Sequence, residues 1–114
     1  MLKPATVKAL LEFRRERAWE HFHDPRNLAA AIAIEAGELQ ELFLWSKDSE
    51  VAQRALDRRD EISDEIADVI ALLTYLCSDL NIDIDEAVLR KIAKNQEKYP
   101  VSQFRGSARK YNQR

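Results

Sequence analysis

Two acidic side chains interrupt the stretch of this sequence that is best suited to form a buried helix. Residues 61–76, EISDEIADVIALLTYL, place Glu65 and Asp68 three positions apart, with apolar residues on both sides. Residues at this spacing share one face of a helix. An ionised carboxylate in apolar surroundings is costly unless it is paired or binds a metal ion. A fold that buries this stretch must therefore supply partners or cations for both acids.

A second stretch repeats the same pattern. Residues 27–45, NLAAAIAIEAGELQELFLW, are apolar from Ala29 to Ala36 except at Glu35, and Glu38 follows three positions later. A single pair of this kind is more often a solvated helix face, but two pairs in apolar surroundings favour a metal site. Four converging carboxylates repel one another without cations, and their oxygen atoms suit hard ions such as Mg²⁺, with Mn²⁺ as an alternative.

Gly37 lies inside the second stretch, between its two acids. Glycine destabilises a helix interior by about 1 kcal/mol relative to alanine. Its presence indicates that another helix or a ligand comes close at this position.

The composition favours long helices. The 114 residues include two glycines and three prolines, too few for a turn-rich all-β protein. Apolar periodicity predicts four helical segments. They cover about residues 6–22, residues 28–45 with Asn27 as N-cap, residues 50–80 with a separate short helix at the start as an alternative, and a segment capped by Asp83 that ends near Lys98.

These segments predict an all-α fold, a bundle of four to five helices, in a single domain over residues 1–114. Residues 101–114 are expected to form a basic C-terminal arm. The net charge of −2 argues against general nucleic-acid binding. The unbroken apolar runs, such as 28–34 and 69–73, are far short of the roughly 20 residues that span a bilayer, so no membrane association is expected. No apolar leader is visible, and a cytoplasmic location is expected. His21 and His23 lie apart from the acidic pairs and are expected to be exposed or capping residues.

The two acidic pairs resemble a known signature. Glu35-Ala-Gly-Glu38, followed after 26 residues by Glu65-Ile-Ala-Asp68, is similar to the ExxE…ExxD signature of the MazG-like, all-α nucleoside triphosphate pyrophosphohydrolases. Further segments also resemble that family, in particular its dCTP-pyrophosphatase branch. These segments are WEHFHDPRNL from position 19, KNQEKYPV from position 94 and RGSARKY from position 105.

This resemblance implies a Mg²⁺-dependent enzyme. It would hydrolyse a (deoxy)nucleoside triphosphate, dCTP or a related pyrimidine nucleotide, to the monophosphate and pyrophosphate for control of the nucleotide pool. Glu35, Glu38, Glu65 and Asp68 match the metal ligands of the family. Either Glu35 or Glu38 would accept the proton of the attacking water.

The resemblance also implies a set of nucleotide contacts: Trp19, Trp45, Lys91, Asn95, Lys98, Tyr99, Arg109 and Lys110. Alternatives exist for some of them. Lys91, Asn95 and Lys98 form one helical stripe that would serve equally as a solvated basic face. Trp45, next to Phe43 and Leu44, would serve equally as a core residue.

Two positions depart from the dCTP-pyrophosphatase branch. Leu10 stands where that branch is expected to have a histidine, and Leu72 where it is expected to have a tyrosine. If the resemblance holds for the pocket, both changes would remove polar groups from it. The family also implies a homo-oligomer, a tetramer built as a dimer of dimers.

Two other functions compete with this one. Phosphoribosyl-ATP pyrophosphohydrolase is a related enzyme, but Trp19 and the KYPV segment fit it poorly. A metal-stabilised helical oligomer with a binding or regulatory role is the alternative from a different class. In that case the acids would set structure, and the basic arm would dock a partner.

Overall fold

The computed structural model of the chain describes residues 1–110, and this part contains helices, turns and loops but no strand. The predicted all-α fold is therefore confirmed. A 3-10 turn, Trp19–Phe22, separates the first two helices. The helices are α1 (Pro4–Glu16), α2 (Pro25–Glu41), α3 (Val51–Asp57), α4 (Arg59–Asp79), α5 (Ile84–Lys98) and α6 (Val101–Phe104).

The described residues form two compact units. The larger unit, 2–81, contains α1 to α4, and in it α2 packs mainly against α4. Helices α1 and α3 also contact α4. The smaller unit contains Met1 with α5, α6 and the described residues that follow them, up to 110. The single domain and the basic arm stay predictions; α6 lies within the arm, and positions 111–114 lie outside the described residues.

The first helix is shorter than the sequence predicts. It ends at Glu16 rather than Phe22, because Ala18 adopts a left-handed backbone conformation with φ of 52°. The chain then enters the 3-10 turn that carries Trp19. The predicted end of this helix was wrong since neither glycine nor proline marks the break.

The start of α2 is also corrected. Asp24, not Asn27, is the N-cap, because the Asp24 carboxylate accepts a hydrogen bond of 2.8 Å from the backbone N–H of Asn27. The Asn27 side chain donates instead to the carbonyl of Phe22 at 3.1 Å. The helix ends at Glu41, four residues before the predicted end at Trp45, which has a left-handed φ of 67°.

The later boundaries agree better with the sequence. The separate short helix exists as α3, and Arg58 at φ −109° and ψ 25° breaks the chain before α4 begins. Asp83 caps α5, since its carboxylate accepts from the backbone N–H of Glu86 at 3.1 Å. That helix ends at Lys98, as predicted.

The interior of the larger unit contains a buried cation. Arg14 is 6% exposed and pairs with both carboxylate oxygens of Asp79, at 2.8 and 2.9 Å. Its guanidinium also lies 4.7 Å from the ring centroid of Tyr75, which is buried. The ring of His23 packs against Tyr75 as well, with centroids 5.4 Å apart, so His23 is a half-buried aromatic neighbour rather than an exposed or capping residue. This cluster ties α1, the 3-10 turn and α4 together.

Much of the apolar content stays on the surface. The buried apolar side chains of residues 1–110 are Leu28, Tyr75 and Phe104. By contrast, large side chains such as Ile34, Leu56, Leu89 and Trp45 are each more than 60% exposed. None of the helices in residues 1–110 has the length and apolar character needed to cross a membrane.

Candidate active site

Two packed helices bring the predicted acids together. Glu35 and Glu38 lie on α2, and Glu65 lies on the facing helix α4. Each of these three side chains offers a carboxylate oxygen, and the three oxygens lie within 4.8 Å of one another. The carboxylate cluster, defined as Glu35, Glu38 and Glu65, is therefore the convergent acidic group that the two sequence motifs predict.

Asp68 lies one turn further along α4 and is exposed. It is not within the 4.8 Å group, but its negative charge acts on the cluster, since it helps to raise the pKa of Glu35 and of Glu65. The sequence alone suggested that Asp68 would be enclosed by apolar residues. In the folded chain its side chain is exposed.

The electrostatics of the cluster show uncompensated negative charge. Burial raises the pKa of Glu35 to about 7, and the neighbouring Glu38 and the charge of Asp68 add to this effect. Burial is also the first cause that raises the pKa of Glu65, followed by the charge of Glu38. One oxygen of Glu35 and one of Glu65, both Oε2, are buried without a hydrogen-bond partner among the described residues.

These observations fit a divalent cation. Buried polar atoms without partners are uncommon in native proteins, and a bound ion is one way in which such atoms are satisfied. The donors of the cluster are all carboxylate oxygens, the ligands that Mg²⁺ and Mn²⁺ prefer. Glu35, Glu38 and Glu65 would hold such an ion, with Asp68 close enough to contribute charge.

A cavity opens beside the cluster. It has a volume of about 450 Å³, and its wall includes Glu38 and Glu65 together with Ile34, Gly37, Glu41, Leu42 and Arg58. A Cβ atom built on Gly37 would have no atom of the described residues within 4 Å. Close packing by another helix of this chain therefore does not account for Gly37. The sequence left two explanations for Gly37, the approach of another helix or of a ligand. Because no other helix of the described chain comes close, the approach of a ligand is favoured.

The two tryptophans differ in their surroundings. Trp19 is 41% exposed and packs edge-on against Phe13, with ring centroids 5.6 Å apart. Trp45 is 96% exposed, so the alternative of a core residue is wrong for the single chain. Both indoles present surface on which a planar base could stack.

The basic residues near the end of the chain lie in the smaller unit. Lys91, Asn95 and Lys98 share α5, as their spacing predicts. Tyr99 packs edge-on against the buried ring of Phe104, with centroids 4.9 Å apart. A cavity of about 570 Å³ is lined by several predicted contacts, namely Tyr99, Arg109 and Lys110, together with neighbouring residues of the arm.

One charged residue of the acidic cavity did not stand out in the sequence. Arg58 belongs to the segment 46–60, which shows no motif and reads as a connector followed by the start of a helix. Its one local signal is the acid three positions later, Glu61, with which it forms an ion pair. Such pairs are common on helix surfaces and would not by themselves mark a site.

Comparison with known proteins agrees with the fold. The structure defines an all-α protein with a carboxylate site suited to divalent cations. The model of the MazG-like family matches residues 30–113. This chain belongs to the MazG-like family, and the resemblance noted in its sequence is confirmed.

Individual relatives support the same placement. The dCTP pyrophosphatase 1 of Mus musculus is 42% identical over 102 residues, which cover 88% of this chain and 60% of that protein. The dCTP pyrophosphatase 1 of Homo sapiens is 40% identical over 104 residues, covering 90% of this chain and 61% of that protein. The chain thus spans about 60% of the length of these relatives.

A solved structure is also similar. The crystal structure of a pyrophosphatase from Archaeoglobus fulgidus aligns with a TM-score of 0.81 at 42% sequence identity. The alignment covers 84% of this chain and 90% of that chain.

Proposed function

We propose that this chain is a divalent-metal-dependent nucleoside triphosphate pyrophosphohydrolase. It would cleave the bond between the α and β phosphates of dCTP or a related pyrimidine nucleotide, releasing the monophosphate and pyrophosphate. The observation that carries the proposal is the carboxylate cluster, in which two buried oxygens have no hydrogen-bond partner among the described residues. The names of the relatives, dCTP pyrophosphatase 1, indicate the substrate.

The cluster supplies binding and proton transfer. Glu35, Glu38 and Glu65 would hold Mg²⁺, or Mn²⁺ in its place, with Asp68 as the fourth acid of the set. Bound there, the ion supplies positive charge to the phosphate oxygens and orients the triphosphate. Phosphoryl transfer depends chiefly on such positioning and charge stabilisation.

A carboxylate would accept the proton of the attacking water. The water oxygen bonds to one of the two phosphorus atoms of the α–β bridge, the bond from that phosphorus to the bridging oxygen breaks, and the monophosphate and pyrophosphate separate. Glu35 and Glu38 are the candidates for this base. In the metal-free chain, burial and acidic neighbours raise the pKa of Glu35 to about 7, and a divalent cation held by the cluster would lower it again.

The nucleotide contacts stay a proposal. The exposed rings of Trp19 and Trp45 would stack on the base, and stacking of this kind accepts any base. Lys91, Asn95, Lys98, Tyr99, Arg109 and Lys110 would contact the sugar and phosphates. The side chains of Leu10 and Leu72 offer no polar atoms, so these two positions supply no hydrogen bond that would select cytosine.

We also propose that the working form is a homo-oligomer, a tetramer arranged as a dimer of dimers. Large exposed apolar side chains such as Ile34, Leu56 and Leu89 support this, because exposed apolar patches usually mark interfaces. Light scattering at several protein concentrations would measure the assembly. A cytoplasmic location and the lack of a nucleic-acid or membrane partner stay predictions from the sequence.

A product assay tests the reaction. The protein is incubated with Mg²⁺ and a panel of common and modified nucleoside triphosphates, and pyrophosphate and orthophosphate are measured separately. Pyrophosphate release is expected. Release of orthophosphate alone would contradict cleavage between the α and β phosphates. If chelation of the divalent metal dissociates the oligomer while no triphosphate is hydrolysed, the metal has a structural role instead.

Substitution of one ligand tests the site. Glu38→Gln removes one charge of the cluster at nearly constant volume and is expected to abolish turnover while leaving the helical circular dichroism spectrum intact. Asp64→Asn is the matched control, because Asp64 is an exposed acid next to Glu65 in sequence and lies outside the cavity wall. Full activity of the Glu38→Gln protein would refute the proposed site.

A further inference from the structure

Arg58 lies where two helices meet at the wall of the acidic cavity. It separates α3 from α4 and has a non-helical backbone conformation. Its side chain is 34% exposed, so most of it is held against the protein. It shares the cavity wall with Glu38 and Glu65, two members of the carboxylate cluster.

The junction is fixed on both sides of Arg58. On α3, the Nε atom of Arg54 donates to the carbonyl of Leu42 at 2.6 Å, and Leu42 is itself part of the cavity wall. On α4, the Nη2 and Nε atoms of Arg58 donate to the two carboxylate oxygens of Glu61, at 2.8 and 3.3 Å. The guanidinium is therefore anchored at the rim of the cavity by groups that do not belong to the cluster.

The pairing with Glu61 does not use all the hydrogen-bond donors of the Arg58 guanidinium. Arginine has five N–H donors in a planar fork, and the two bonds to Glu61 leave three of them for another acceptor. Among the described residues of this wall, Arg58 is the one cation, while Glu38, Glu41 and Glu65 are acids. A guanidinium of this kind fits an anion that enters a metal-loaded acidic site, and phosphate oxygens match its geometry.

We propose that Arg58 binds the phosphate chain of the nucleotide and that Glu61 positions it. This rests on the proposed function, since the anion is the triphosphate that the metal site receives. The free N–H groups of Arg58 donate to non-bridging phosphate oxygens. The ion pair with Glu61 holds the fork in place before the substrate arrives, which lowers the entropic cost of binding.

A different role predicts a different result. If Arg58 only offset the repulsion among the acids, its removal would strengthen Mn²⁺ binding and leave phosphate affinity unchanged. If Arg58 contacts phosphate, its removal instead lowers the affinity for pyrophosphate and for the triphosphate. The two roles can therefore be separated by measuring metal and anion binding on the same variants.

The experiment uses the full chain and pyrophosphate as probe. Binding of pyrophosphate in the presence of Mg²⁺ is measured by calorimetry for the wild type, Arg58→Ala and Arg58→Lys, together with Mn²⁺ affinity and the KM for the triphosphate. Arg58→Ala is expected to weaken pyrophosphate binding and raise KM by roughly 10- to 100-fold, the usual effect of losing a charged hydrogen bond. Arg58→Lys keeps the positive charge but not the planar set of N–H donors. Its pyrophosphate affinity and KM are expected to lie between those of the wild type and Arg58→Ala.

The control is Arg59→Ala, which removes the same charge from the next residue, an exposed position at the start of α4. It is expected to change pyrophosphate affinity less than about twofold, because single exposed charges contribute little. Wild-type pyrophosphate affinity in a folded Arg58→Ala protein would overturn the proposal, as would an equal loss in Arg59→Ala. Should Arg58→Ala fail to fold, Arg58→Lys decides by the same measurement. Failure of the wild type to release pyrophosphate would instead refute the proposed function.

Discussion

The carboxylate cluster makes a specific prediction about stability in the absence of metal. In the folded chain the pKa of Glu35 is raised from 4.5 to about 7, mainly by burial. The folded protein therefore binds this proton more tightly than the unfolded protein does. By linkage, the associated stability is fully present below pH 4.5 and is lost as the pH rises to about 7.

The magnitude follows from the shift. At about 1.4 kcal/mol per pKa unit, a rise from 4.5 to about 7 corresponds to at most about 3.5 kcal/mol of unfolding free energy. This is a large share of the stability of a small domain, which is typically about 5–15 kcal/mol. The metal-free protein should therefore be markedly less stable at about pH 8 than at about pH 5.

Glu35→Gln isolates this effect. Glutamine has nearly the same volume but does not titrate, so the variant should lose the part of the pH dependence that Glu35 causes. The lowered pKa of His23, which burial causes, acts on stability in the opposite direction but is present in both proteins. The difference between wild type and variant therefore reports on Glu35 and the acids coupled to it.

Urea denaturation measures the difference. Unfolding free energies are determined in EDTA from about pH 5 to about pH 8, at one protein concentration because oligomers couple stability to concentration. Added Mg²⁺ should restore stability to the wild type at high pH, by about 2.7 kcal/mol at a hundredfold excess over its dissociation constant, and less so to Glu35→Gln. If the unfolding free energies of the two metal-free proteins change with pH in parallel, burial does not raise the pKa of Glu35, and the reasoning is refuted.

Two further variants test other parts of the structure. Arg14→Ala should lower the unfolding free energy by about 3 kcal/mol, since it leaves Asp79 partly buried without its partner. The double variant with Asp79→Ala should recover much of this in urea denaturation, and a double variant less stable than the single one would contradict it. Trp45→Ala should change stability by less than about 0.5 kcal/mol because the ring is exposed, yet raise the KM for the nucleotide. An unchanged KM would remove Trp45 from the substrate contacts.

The sequence predicts the acidic site well because the determinants are local. Glu35 and Glu38 share a helix face by spacing, as do Glu65 and Asp68, and their apolar neighbours require α2 and α4 to pack together. The convergence of three carboxylates then follows from two periodic patterns. The exposure of Asp68 does not follow from them, because periodicity says which residues share a face but not how far the facing helix covers it.

The helix breaks were less predictable. Ala18 adopts a left-handed conformation that an alanine rarely takes, and the neighbouring contact of Trp19 with Phe13 is a tertiary one. The same holds near Arg58, where the hydrogen bond from Arg54 to Leu42 joins residues twelve positions apart. Local sequence patterns do not contain such contacts, so the role of the 46–60 segment in shaping the cavity emerges only from the fold.

The solvent exposure of the Trp45 ring has a practical consequence. A left-handed backbone at a bulky residue costs about 1–3 kcal/mol and persists where surrounding interactions demand it. Yet its indole stands almost entirely in water in the single chain. Indole emission moves to shorter wavelength when water is removed from around the ring. Trp45 is thus an intrinsic fluorescent reporter. In a variant with Trp19 replaced by phenylalanine, a shift of the emission to shorter wavelength would show that another molecule covers the Trp45 ring.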